Sequence, residues 1–160
     1  MIVNPSNIVE GNQDMTSPFV CEAQVRVRYA ETDAMSVVYH TNYIVWFEVG
    51  RVEYMQRLGS DYAEVERQGR FFAVSEVGAR YLASARFSDL ITIRTWVEEV
   101  RSRALAFRYE IVAAETGQLL VTGFTRHICI DRDGRVSAIP ETVRSLLAAA
   151  RDGLVHPGSN

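Results

Sequence analysis

Between Phe19 and Leu58 the spacing of apolar residues changes from a period of two to a period of about 3.6, which dictates a strand leading through a polar loop into one long helix. Phe19, Cys21, Ala23, Val25, Val27 and Tyr29 fall on one face of the first segment, with Glu22, Gln24, Arg26 and Arg28 on the other, as in a half-buried strand. After the polar stretch from Ala30 to about Thr41, Tyr43, Phe47, Gly50, Tyr54 and Leu58 recur at three- and four-residue steps. Thr41 or Asn42 is placed to cap the helix and Gly59 stands just past its end. Trp46, Val49, Val52 and Met55 widen the apolar stripe, so the helix is expected to be covered on more than one side, as one wrapped by a sheet would be. Gly50 costs helix stability relative to alanine, and close approach to a strand would account for it.

The rest of the chain reads as a short helix over residues 62–68, with Asp61 and Glu64 at capping-box spacing, and strands over 71–83, 90–100, 105–114 and 119–130. Short turns at 101–103 and 115–118 imply antiparallel neighbours. Asp133-Gly134 marks another tight turn, and Pro140 opens a last helix over 141–150. The class is α+β, with a sheet curled around the long helix to bury the most apolar surface. Periodicity leaves the strand order open. A chain of 160 residues supports one domain, expected over residues 18–151 between an N-terminal tail, 1–17, and a C-terminal tail, 152–160.

Charge narrows the partners. A formal net charge of -3 supplies no general field for nucleic-acid phosphates, and no basic run is visible. All 17 basic residues are arginines, so Schiff-base and lysine-nucleophile chemistry is excluded, while arginine forks remain available to grip phosphate. Cys21 and Cys129 each sit in an apolar strand-like run and read as structural thiols. No basic-then-apolar leader opens the chain and no stretch reaches the ~20 apolar residues of a membrane span, so a cytoplasmic location is expected.

There is no G-x-S-x-G, P-loop, G-x-G-x-x-G or paired-cysteine spacing. The segment from Tyr29 to Tyr43 does concentrate a carboxylate and an imidazole at a helix start. First-turn amides have no internal partner and lie at the positive end of the macrodipole, so they can hold a thioester carbonyl and its developing oxyanion. A nearby carboxylate can attack or activate water. An acid ahead of a helix more often caps it or meets solvent, so the pattern by itself leaves catalysis open. Glu31, Asp33 and His40 match the spacing of no established metal site.

The stretch from Val27 to Glu48, with its core Tyr29-Ala30-Glu31-Thr32-Asp33-Ala34-Met35-Ser36-Val37-Val38-Tyr39-His40-Thr41-Asn42-Tyr43, resembles the signature of the 4-hydroxybenzoyl-CoA thioesterase family, including its Tol-Pal-cluster acyl-CoA thioesterase branch. The resemblance implies a hotdog fold and hydrolysis of a small or fatty acyl-CoA without metal or organic cofactor. It implies that Asp33 is the nucleophile or general base, and that the backbone amide at His40 polarises the thioester carbonyl, the side chain assisting in the Tol-Pal branch. By the same resemblance Tyr39, Asn42 and Tyr43 shape the acyl pocket or fix the loop. Arg101, Ser102 and Arg103 fall where family members place basic and hydroxyl groups for the CoA phosphates, although turn arginines are commonly just solvated. Family members bind CoA across a subunit interface and form dimers, often paired into tetramers, so a homo-oligomer is implied. Ser36 stands where the family has glycine. A related branch uses a glutamate on the long helix, for which Glu48 is the candidate, but the motif favours Asp33. His127, alternating within a strand, reads as structural. The rivals are an acyl-carrier-protein thioesterase and a non-catalytic acyl-CoA-binding module, while a dehydratase needs a histidine-led motif placed differently.

Overall fold

The computed structural model describes residues 17–60, 62–155 and 157. Nearly all of the expected N-terminal tail, and the Asp61 half of the expected capping box, lie outside these residues. The elements run β1 (Cys21–Arg26), a 3-10 turn (Tyr29–Glu31), α1 (Thr41–Arg57), α2 (Tyr62–Arg67), β2 (Phe71–Tyr81), β3 (Leu90–Val100), β4 (Ala104–Ala113), β5 (Leu119–Ile130) and α3 (Glu141–Arg151). The five strands form one antiparallel sheet in the order β1-β3-β4-β5-β2. Strands β3 to β5 are the meander that the short turns imply, while β2 pairs with β5 and, among the described residues, its other side is a sheet edge. With α1 packed on the sheet, this is the α+β hotdog architecture.

Alternation in β3 and β4 turns Ile91, Ile93 and Val97, then Leu105, Phe107, Tyr109 and Ile111, into the core against α1. From the helix side come Tyr43, Trp46, Phe47, Tyr54 and Met55. Phe47 stacks on Tyr109 with ring centroids 4.3 Å apart, a geometry worth about 0.5–1.5 kcal/mol beyond burial. A Cβ on Gly50 would meet Ile93 Cγ2 at 2.9 Å and come still closer to the Thr95 hydroxyl, so the glycine lets helix and sheet touch. Cys21 and Cys129 are buried free thiols, and burial pushes the Cys21 pKa up to about 11. Among the described residues no helix is long and apolar enough to cross a membrane.

Three local readings change. The first strand ends at Arg26, and Tyr29 is exposed because the chain there turns into the 3-10 helix. Neither Thr41 nor Asn42 caps α1; both lie inside it, and the Asn42 amide is engaged with the Glu31 carbonyl, 3.0 Å away. Val49 and Val52 do not widen the covered face but are 38% and 37% exposed, with Val45 at 52%, because the sheet of one chain covers only one side of α1.

Candidate active site

The loop between β1 and α1 is built on a buried carboxylate. Glu31 accepts the Arg28 backbone N–H at 2.8 Å, the Arg28 guanidinium at 3.1 Å and the Trp46 indole N–H at 3.4 Å. Burial raises its pKa, but these donors outweigh it and hold the carboxyl below its usual range. From Glu31 the chain forms a narrow hairpin. Tyr39 N–H donates to the Glu31 carbonyl at 2.8 Å, Thr32 bridges Val38, and Asp33 N–H donates to the Val37 carbonyl at 2.9 Å. Ser36 closes the tip at φ 61°, the left-handed region where a β-carbon is strained and glycine is at ease.

Asp33 stands two rungs beyond the Glu31–Tyr39 pairing, about 7 Å of extended chain, and is half-buried. Its Oδ1 accepts the Met35 N–H at 2.8 Å. On the returning arm the hairpin feeds directly into α1, whose boundary residue is His40. Among the described residues the His40 N–H has no acceptor, and no side chain caps the helix, so the amide is free for a ligand. The Tyr81 hydroxyl donates to the His40 carbonyl at 2.9 Å, tying the end of β2 to the helix start. Tyr39 lies beside the His40 ring, centroids 4.4 Å apart. Tyr43 is buried, its hydroxyl accepting the Ala85 N–H at 3.0 Å, so with Asn42 it fixes the loop. Around these groups Tyr29, Met35, Tyr39, Tyr81, Leu82 and Phe87 are exposed apolar side chains, the kind of rim that marks a ligand or partner surface.

Within one chain the structure does not bring residues 101–103 to this loop. Asp89, just ahead of β3, bonds Val27 beside the loop, whereas the Arg101–Arg103 turn follows the other end of that 11-residue strand, about 35 Å away. The Arg101 guanidinium pairs there with Glu99, 2.6 Å apart, and all three turn residues are exposed. A cleft of about 620 Å³ beside the turn is lined by Arg101, Arg108, Arg126, Glu98 and Glu99.

A second cavity, about 320 Å³, lies between the middle of α1, α2 and the sheet, with Arg51 and His127 in its wall. His127 Nε2 is 2.8 Å from Thr125 Oγ1, which is 2.6 Å from the Tyr109 hydroxyl, itself accepting from Arg51 at 3.3 Å. Burial, then the Arg51 charge, push the His127 pKa down to about 4. Sequence reading missed Arg51 and the anchoring role of Glu31. The available signals were an arginine inside the apolar stretch of the long helix and an acid three residues after Arg28.

Residues 27–147 match the thioesterase-like superfamily. The chain belongs to that superfamily. The acyl-CoA thioester hydrolase YbgC of Escherichia coli O6:H1 is 33% identical over 107 residues, 67% of this chain and 79% of YbgC. The crystal structure of the protein TT1821 from Thermus thermophilus superposes with a TM-score of 0.77 at 42% identity, covering 82% of this chain and 98% of that one. That of the DHNA-CoA thioesterase from Staphylococcus aureus gives a TM-score of 0.75 at 34% identity, covering 86% and 97%.

Proposed function

We propose that the chain is an acyl-CoA thioester hydrolase of the 4-hydroxybenzoyl-CoA thioesterase type, in its Tol-Pal-like branch, working in the cytoplasm from a single domain over residues 18–151. The observation that carries the reading is the hairpin from Glu31 to Tyr39, which presents Asp33 on one arm and delivers a free His40 N–H at the start of α1 on the other. The names borne by YbgC and by the Staphylococcus aureus thioesterase support the reaction class.

In the proposed reaction the thioester carbonyl oxygen accepts the His40 N–H, at the positive end of the α1 macrodipole. Asp33 either attacks the carbonyl carbon itself or takes a proton from the water that does. Collapse of the tetrahedral adduct breaks the carbon–sulfur bond and expels the CoA thiolate. On the water path this releases the acid at once, and the proton taken by Asp33 passes to the thiolate. On the direct path it leaves an acyl–Asp33 anhydride, which water then hydrolyses to the acid and free Asp33, supplying the proton that the thiolate takes up. Tyr39 and the His40 side chain border the acyl group, Asn42 and Tyr43 hold the loop, and Arg101, Ser102 and Arg103 meet the CoA phosphates. That last role requires a second copy, since one chain keeps the turn and the loop apart. An edge at β2 that is unpaired among the described residues, with Phe71, Val74, Val77 and Tyr81 exposed, supports such a homodimer, itself able to pair into a tetramer.

Asp33→Asn is the decisive variant, because the asparagine oxygen can still accept the Met35 N–H and keep the loop intact. Assayed on short, long and aromatic acyl-CoAs, it is expected to lose about a hundredfold or more in kcat while binding is largely kept. An unchanged rate would remove Asp33 from the mechanism; parent protein that binds acyl-CoA and turns over none would make the chain a binding module.

A further inference from the structure

The connection between β2 and β3, residues 82–89, has no part in the reaction as proposed, yet it is fastened to the Asp33 hairpin from foot to tip. At the foot, Val27 N–H donates to the Asp89 carbonyl at 2.9 Å, Ser88 N–H to the Val27 carbonyl at 3.0 Å, and the Arg26 guanidinium to the Ser88 carbonyl at 2.8 Å. The Phe87 ring meets Tyr29 edge-on, centroids 5.7 Å apart. On the returning arm Val38 N–H donates to the Ala85 carbonyl at 2.9 Å, while Ala85 N–H donates to the Tyr43 hydroxyl of α1 at 3.0 Å. At the tip the Arg86 guanidinium reaches the Ser36 carbonyl, 3.4 Å away. Arg86 is aimed there by its own backbone. Its N–H donates to the Asp89 carboxylate at 2.8 Å and its carbonyl accepts the Asp89 N–H at 3.1 Å, closing a turn on one side, with the doubly bonded Ala85 on the other. The side chain is exposed and in no ion pair among the described residues, so no carboxylate draws the guanidinium away from the tip.

The tip is where such a hold has an effect. Asp33 N–H donates to the Val37 carbonyl and Ser36 N–H to the Asp33 carbonyl, each at 2.9 Å, with Ser36 at φ 61°. A turn followed by one left-handed residue is a standard way to close a hairpin, and it depends on a residue that accepts that conformation. Serine resists it, because its β-carbon crowds the following carbonyl. Asp33 is tied into the same turn through its own carbonyl and through Oδ1, which accepts the Met35 N–H, so the carboxylate moves when the tip relaxes. The direction of the Ser36 carbonyl is fixed by its ψ angle, and a donor held against that oxygen favours the one ψ that the closed tip has. We propose that Arg86 is a positioning residue: by holding the Ser36 carbonyl it keeps the serine left-handed and thereby orients the Asp33 carboxylate towards the thioester. This rests on the reading of Asp33 as the reacting group. Glycine at position 36 would need no such hold.

The test couples the two positions. Arg86→Met keeps the apolar stem and removes the donor; with folding checked by circular dichroism, it is expected to lower kcat about tenfold or more and to leave KM within about twofold, because a displaced reacting group slows turnover without weakening ground-state binding. Measured against Ser36→Gly alone, adding Arg86→Met to Ser36→Gly should cost less than about twofold, a coupling that general support of the fold would not produce. Conformation is read apart from catalysis by hydrogen exchange of the Met35 amide, whose acceptor is the Asp33 carboxylate. Arg86→Met should speed that exchange about threefold or more with serine at position 36 and leave it unchanged with glycine there. A raised KM with kcat preserved would make Arg86 a substrate contact, and equal losses in the serine and glycine backgrounds would make it a general brace. Either result, or an unchanged kcat, overturns the proposal. If Asp33→Asn hydrolyses as fast as the parent while Arg86→Met still speeds exchange in the serine background alone, the hold on the tip stands and the catalytic reading of Asp33 is what fails.

Discussion

At the scale of single residues, two side chains show how burial alters chemistry in this protein. The His127 pKa near 4 lies below the ordinary imidazole value of 6.5, because charging the ring would mean placing a cation in the core beside Arg51. Between those two values the unfolded chain binds more protons than the folded one. Stability therefore rises with pH across this window, is fully present above about 6.5, and is lost as pH falls towards 4. The full span is worth roughly 3 kcal/mol at most. Urea titrations at intervals from pH 4 to 7 should show this slope in the parent and a flatter one in His127→Phe. Ser36 illustrates what could be read ahead of the structure. Its departure from a family glycine flagged the backbone at that position, and φ 61° shows why glycine suits it. Glu31 was opaque because its significance comes from Trp46, 15 positions away, meeting it in the core.

Among the elements, α1 was the most legible, since a 17-residue stripe of alternating steps has no competing reading. Strands β3 and β5 matched residue for residue because alternation and turn residues bound them on both sides. The helix cap was misread because capping preferences describe an isolated terminus, and here the asparagine amide serves the loop. Gly50 is the element-scale joint. Gly50→Val forces its new carbons onto the side chains of Ile93 and Thr95, both fully buried between helix and sheet. We expect a loss of about 3 kcal/mol or more, or failure to fold, with Gly50→Ala milder. Thermal unfolding followed by circular dichroism measures both.

For the whole molecule, the sequence left the order β1-β3-β4-β5-β2 undetermined, because the return of β2 to pair with β5 is a long-range choice that no local pattern encodes. The same holds for the distance between the Arg101–Arg103 turn and the Asp33 loop, which a motif read along the chain treats as one site. If the unpaired β2 edge joins two copies, charges placed on it should separate them. Val74→Lys with Val77→Lys, both at exposed positions of that strand, is expected to shift the mass in sedimentation equilibrium from dimer or larger towards monomer, and to lower activity with it. An unchanged mass would move the interface elsewhere.

The indole of Trp46 touches the carboxylate on which the loop is built, and the chain has only one other tryptophan, Trp96. The protein therefore contains its own optical gauge of loop integrity. Because the folded Glu31 carboxyl titrates below its usual range, it stays charged through that range, and only acidification beyond it should protonate the group, release the indole N–H and shift the Trp46 emission. In a Trp96→Phe background that signal should track the fall of activity in acid; steady emission while activity disappears would mean that the loop holds its shape and the failure lies in the chemistry.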